Sequence, residues 1–277
     1  MASLLELKKH LHSIRTTGQL AGAMKTVSAA KLSRLNGALQ NFSGYRNICT
    51  GMTERFGRDL SDMFPCKNPD APRCFVVLGA NRGLCGGYNM ELYSHAEAVL
   101  REVSGPYLLV VVGKHAIAHF REAGYSIWKE HVLPETLHYE DCMTLLDELL
   151  TLYENGEVSS VELLYQRFVN MLTQTPDTHR LLPIAADKTD GCEPETLYVP
   201  DRETVLRSAA ATCVNADFYA HVLEAGAGNQ AATLIAMRSA FNNAEASAAS
   251  LESAISRQRQ SEVTSSVIET AGGYTED

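Results

Sequence analysis

Cys85 lies in GANRGLCGGYN (79–89), between the apolar run RCFVVL (73–78) and a segment with helical patterning. A strand that runs into a glycine-rich turn and then a helix is the setting of phosphate-binding loops and nucleophile elbows. As a phosphate loop the stretch fits neither G-x-G-x-x-G nor G-x-x-x-x-G-K-[ST], and no lysine follows to reach a phosphate. As an elbow it offers Cys85 near a helix N-terminus, where a thiolate would be stabilised. A thiol enzyme also needs a base and an orienting group, and the sequence points to no such pair. The third reading is architectural: Gly83, Gly86 and Gly87 around Cys85 permit a tight turn and close backbone packing. The residues favour that reading.

Other chemistry-bearing residues are dispersed. Cysteines 49, 66, 74, 85, 142, 192 and 213 are odd in number and contain no C-x-x-C pair, which argues against a disulfide framework and a structural zinc site. They read as small apolar residues in a reducing compartment. His115 and His119 share a helical face, yet KHAIAHF lacks the glutamate of a zincin helix. With 277 residues the chain can bury a sizeable core as one large domain or two smaller ones. A net charge of −9 speaks against general nucleic-acid binding, and no apolar run approaches the ~20 residues of a membrane helix. The basic, amphipathic N-terminus lacks the apolar core of a signal peptide. These features are those expected of a soluble intracellular protein.

The elements around the turn fall into three sections. From Ser3 to Arg58 there is no proline, and Leu4, Leu7, Leu11 and Ile14 recur at three- and four-residue steps. After a slip, Leu20, Met24 and Val27 continue the stripe, and Leu35, Leu39 and Phe42 extend it. This predicts one long amphipathic helix. Gly18 and Gly22 inside it suggest that something approaches its backbone closely. From Glu203 to Glu269 proline is again absent, and Met237, Phe241, Ala244, Ala248, Leu251 and Ile255 form a heptad seam. Gly272 and Gly273 supply a stop. Two helices of that length suit an antiparallel coiled coil of the two chain ends. Between them, strands are expected at 73–79, 107–113 and 159–168 and helices at 86–103, 114–124 and 140–156. That alternation predicts a Rossmann-like α/β domain with a largely parallel sheet. The expected boundaries are 1–58, 59–202 and 203–277.

With both ends and the turn in view, the chain resembles the gamma subunit of F-type rotary ATP synthases from end to end. SIRTTGQLAGAMKTVSAAKL (13–32) is similar to the family's N-terminal helix signature, and NRGLCGGYN (81–89) to its glycine turn. YQRFVNMLTQTP (165–176) is similar to a strand of its middle domain. QAATLIAMRSAFNNA (230–244), RQRQSEVT (257–264) and IETAGG (268–273) are similar to its C-terminal helix.

The resemblance implies a central stalk with no active site and no cofactor of its own. Its coiled coil would turn inside a ring of three alpha and three beta subunits, and its foot would join the epsilon subunit and the c-ring. Met24, Lys25, Arg238, Gln260 and Thr264 would be the residues that meet the beta subunits. The chain departs from the family in several places. Thr233 stands where an arginine is usual, Val199 in YVPD where a glutamate precedes the proline, and Ser256, Gln258 and Glu262 where Asn and small apolar residues are usual. Thr16 and Gly18 replace the usual Asn and Gln. The alternatives are a gamma-like subunit of a divergent hydrolytic ion-pumping ATPase and a thiol enzyme using Cys85. The resemblance also implies a bacterial chain, peripheral on the cytoplasmic face of the cell membrane.

Overall fold

The computed structural model describes residues 4–185 and 197–272. Helix α1 (Leu4–Met63) is followed by β1 (Arg73–Leu78), α2 (Tyr88–Glu102), β2 (Tyr107–Val112), α3 (Lys114–Glu122) and β3 (Lys129–His131). Helix α4 (Tyr139–Glu154), β4 (Ser160–Phe168), β5 (Gln174–Leu182) and α5 (Arg202–Gly272) complete the order. The chain forms two compact units, one of residues 1–29 and 233–277, the other of residues 30–232. The described part of α5 extends to Gly272, and Gly273 and Cys192 lie outside the described residues.

In the first unit the two helix segments run antiparallel: Arg15 pairs with Glu252, Gly18 faces Ala244 and Gly22 faces Phe241. The α5 side of the seam is the expected one, from Met237 through Phe241, Ala244, Ala248 and Leu251 to Ile255, all buried or half-buried. The α1 side differs. There is no slip after Ile14, because burial continues at strict three- and four-residue steps through Gly18, Ala21, Lys25 and Ser28. Leu20 and Val27 point outward at 61% and 53% exposure. The seam had to pass through small residues because Phe241 needs the space. A Cβ on Gly22 would stand 3.2 Å from the Phe241 ring, and one on Gly18 would stand 3.1 Å from Ala244 Cβ.

The second unit contains a five-stranded sheet of order β3-β2-β1-β4-β5. Strands β3, β2, β1 and β4 are parallel, and β5 pairs antiparallel with β4 at the edge. Strands β1, β2 and β4 and helices α2, α3 and α4 fall where the sequence patterns put them. β3 and β5 were not anticipated from those patterns, although the resemblance pointed to a strand near 165–176. One core lies between one face of the sheet, α4 and the inner parts of α1 and α5, with Leu60, Val76, Leu146, Leu163 and Phe218 almost fully buried. The other fills the opposite face around Phe75, Leu92, Tyr93 and Phe120. Apolar residues on both faces of the inner strands are what a covered parallel sheet requires. Between Leu206 and Met237 almost every residue of α5 is at least partly buried, which short side chains such as Ala210, Ala216, Ala220, Ala227 and Ala231 permit.

Candidate functional site

The glycine turn lies where an α/β sheet holds its ligand. Successive crossovers carry the chain from β1 to β2 and β3 on one side, then back to β4 on the other. The switch point therefore falls between β1 and β4, and such folds bind ligands beyond the carboxyl ends of those strands. The turn leaves β1 through Gly79, reverses at Leu84 and Gly86, both with φ near +60°, and enters α2 at Gly87.

That position is already filled. The Tyr88 hydroxyl donates to the Ala225 carbonyl of α5 at 2.7 Å, and Gln166 Nε2 of β4 donates to the Tyr88 carbonyl at 2.9 Å. The Phe168 amide, at the carboxyl end of β4, donates to Glu224 Oε1 at 3.0 Å. Gly228 lets α5 lie against Tyr88 and Gln174: a Cβ there would stand 3.3 Å and 3.4 Å from their side chains. The helix termini that would otherwise attract a phosphate are also engaged. Asn81 Oδ1 accepts from the Lys114 amide at the start of α3, and the Glu91 carboxylate lies beside Gly87 at the start of α2. A carboxylate there repels a second anion and already satisfies the helix dipole. At Gly113 (φ +101°) the second strand-to-helix turn meets the first so closely that a Cβ would stand 2.5 Å from Gly79 O.

Cys85 is 2% exposed, and burial raises its thiol pKa more than nearby backbone hydrogen bonds lower it. Burial therefore suppresses ionisation at the cysteine positioned as an elbow, which speaks against a thiol enzyme. His115 and His119 do not converge on an ion. Nδ1 of His115 lies 3.0 Å from the Tyr93 hydroxyl, and Nε2 of His119 lies 2.9 Å from Glu97 Oε1. Both rings stack on Tyr93.

The residues implied to meet beta subunits lie in the coiled-coil unit at two levels. Lys25 Nζ stands 4.5 Å from the centroid of the Phe241 ring, a cation–π contact that holds its ammonium at the coil surface. Met24 is half-buried beside it, and Arg238 is exposed. Gln260 and Thr264 lie 22 residues or more further along α5, about 33 Å at 1.5 Å per residue. Thr264 Oγ1 donates to the Gln260 carbonyl at 2.8 Å. From residue 259 to 268 every side chain is exposed, including Val263, Val267 and Ile268. Thr233 is buried at 9% exposure, whereas Val199 is 74% exposed. Glu262 is exposed and accepts from Gln258 at 3.4 Å.

Comparison with known proteins shows the family. A family model described as ATP synthase matches residues 3–275. The chain belongs to the ATP synthase gamma-chain family. It is 31% identical over 282 residues to the ATP synthase gamma chain of Desulforamulus reducens, covering 99% of this chain and 98% of the relative. It is 32% identical to that of Anaeromyxobacter sp., with the same coverage. Among solved structures it is similar to a chain of the Euglena gracilis mitochondrial ATP synthase, with TM-score 0.67 and 16% identity over 98% of this chain and 93% of that one. That last likeness is one of fold.

Sequence reasoning missed one cluster. His179 of β5 meets Asp217 and His221 of α5, with His179 Nε2 2.5 Å from Asp217 Oδ2. The i, i+4 spacing of Asp217 and His221 was visible in the chain, but their partner strand was not. Burial acts to raise the Asp217 pKa, yet the hydrogen bonds and charges of the two histidines outweigh it and hold the carboxyl well below its usual range.

Proposed function

We infer that this chain is the central-stalk rotor of an F-type ATP synthase. It couples ion flow through a membrane sector to nucleotide chemistry at beta subunits, and no chemistry occurs in the shaft itself. One observation carries this reading beyond family membership. The position where such a sheet would hold a ligand is taken by α5, a helix that also supplies one strand of the coil. A sheet that grips a helix at its ligand crevice is built to hold that helix. A two-stranded coil resists bending better than one helix alone, as a torque-bearing element must.

The partners follow from the reading. Three alpha and three beta subunits surround the coil, and the foot joins epsilon and the c-ring at the cytoplasmic face of a bacterial membrane. Among the described residues no helix is long and apolar enough to cross a membrane. Met24, Lys25 and Arg238 at one level, and Gln260 and Thr264 at the other, contact the beta subunits. Leu20 and Val27 add an apolar face at the first level. Because Thr233 is buried, the contact usually made by an arginine there passes to the exposed Arg238. In the foot, Leu197 and Val199 offer an apolar contact where the family has an acidic one. Contacts of this kind couple by differing between alternative conformations of the partner.

The test is co-expression of this chain with the alpha and beta subunits of its own source. One copy per three of each, with sustained multi-site ATP hydrolysis that the alpha–beta mixture alone lacks, is the expected outcome. Failure to join the ring, or joining without effect on turnover, would contradict it.

A further inference from the structure

We propose that His179, Asp217 and His221 form a binding site for one divalent d-block cation of the zinc type. The three side chains come from two elements, β5 and α5, and present ligand atoms that all lie within 4.8 Å of one another. Around a tetrahedral zinc with bonds of ~2.0–2.2 Å, ligand atoms stand about 3.3 Å apart. His179 Nε2 and Asp217 Oδ2 stand 2.5 Å apart, so a cation would replace their hydrogen bond and spread the two atoms to that spacing.

The donor set is selective. Two imidazole nitrogens with one carboxylate suit zinc, iron, nickel or copper, and suit magnesium or calcium poorly. Its supports are in place as well. His221 is buried, its ring packs edge-on against Tyr165 with centroids 4.8 Å apart, and it stacks on His179 at 4.1 Å. His221 Nδ1 donates to the Asp217 main-chain carbonyl at 2.7 Å and also lies 3.3 Å from Asp217 Oδ1, which leaves Nε2 as the nitrogen with a lone pair to offer an ion. His179 and Asp217 border a cavity of about 190 Å3 between α1, β5 and α5, where a water can fill the fourth position. Arg46 and Arg180 also line that cavity, and Glu224 lies 3.8 Å from Arg46 to offset its charge. A bound cation would tie the edge strand to α5.

The test is calorimetric titration of the full chain, stripped with a chelator, with Zn2+, together with visible spectroscopy of the Co2+ form. Expected are one site per chain with micromolar or tighter affinity, a d–d band of a four- or five-coordinate ion, and a metal-dependent rise in Tm. His179→Asn, at a partly exposed position, weakens binding by at least about tenfold, as does His221→Asn if it folds. Cys49→Ala with Cys213→Ala leaves binding intact, because neither thiol is a ligand. No saturable Zn2+ binding, unchanged affinity in His179→Asn, loss of binding with the cysteine pair, or effective competition by equimolar Mg2+ would each overturn the proposal.

Discussion

The hydroxyl of Tyr88, the residue that ends the glycine turn, donates to the carbonyl of Ala225 in α5 at 2.7 Å. The turn's sequence poses the question of a bound ligand, and this contact answers it. What the sheet's crevice holds is the chain's own C-terminal helix. Tyr88→Phe removes the donor but leaves the ring packed, so it should cost about 1 kcal/mol in urea unfolding. Hydrogen exchange should quicken around 222–229. A variant with wild-type stability and exchange would show that the contact does not hold α5.

The coil makes a sharper prediction at Gly22. Alanine gains ~1 kcal/mol of helix propensity, but its Cβ meets the Phe241 ring at 3.2 Å. The two effects should nearly cancel, leaving Gly22→Ala close to neutral. Gly22→Leu has no room and should cost roughly 2 kcal/mol or more, with faster exchange over 15–28 and 237–252. Equal stability of the two variants would mean the helices do not approach as closely as described.

In the sheet, Arg73 forms a forked pair with Glu162, which is only 4% exposed, with Nη2 2.7 Å from both carboxylate oxygens. Arg73→Met strands a buried charge and should cost about 3 kcal/mol, read as a lower urea midpoint. Adding Glu162→Gln should recover part of that loss. A single variant as stable as the parent would contradict the pairing.

Alkaline sensitivity follows from the core thiols. Burial pushes Cys74 up from 9.0 to about 12, and burial, with Asp141 adding to it, pushes Cys142 to about 12. The unfolded chain releases these protons near pH 9 while the folded chain retains them, so stability falls as pH rises between about 9 and 12. Tm should be flat below pH 8.5 in this respect and drop above 9. Cys74→Ala with Cys142→Ala should shallow that drop, and an unchanged alkaline slope would remove the thiols as its cause.

The long helices and most of the sheet were legible because periodicity reports burial directly. The α1 seam was misread after Ile14 because large apolar residues were followed. Leu20 and Val27 face outward while Gly18, Ala21 and Ser28 carry the buried side. Where two helices meet closely, smallness marks the interface better than hydrophobicity. Strand β5, QTPDTHRLL, escaped notice because an edge strand need bury little, and Pro176 and its charged residues hide its pattern. β3 is three residues long and has no pattern to read. The same gap concealed His179 and hence its cluster. At the glycine turn, the templates excluded a nucleotide, but only the fold could show that Ala225 and Glu224 stand in its place.

The central claim is that this chain turns. The most direct measurement attaches a visible probe to the foot of the chain within surface-held alpha–beta complexes and records it during ATP hydrolysis. The account predicts unidirectional rotation with three dwells per turn, one for each beta subunit, that stops when ATP is withdrawn. A probe that stays fixed or only fluctuates while the same complexes hydrolyse ATP would contradict it.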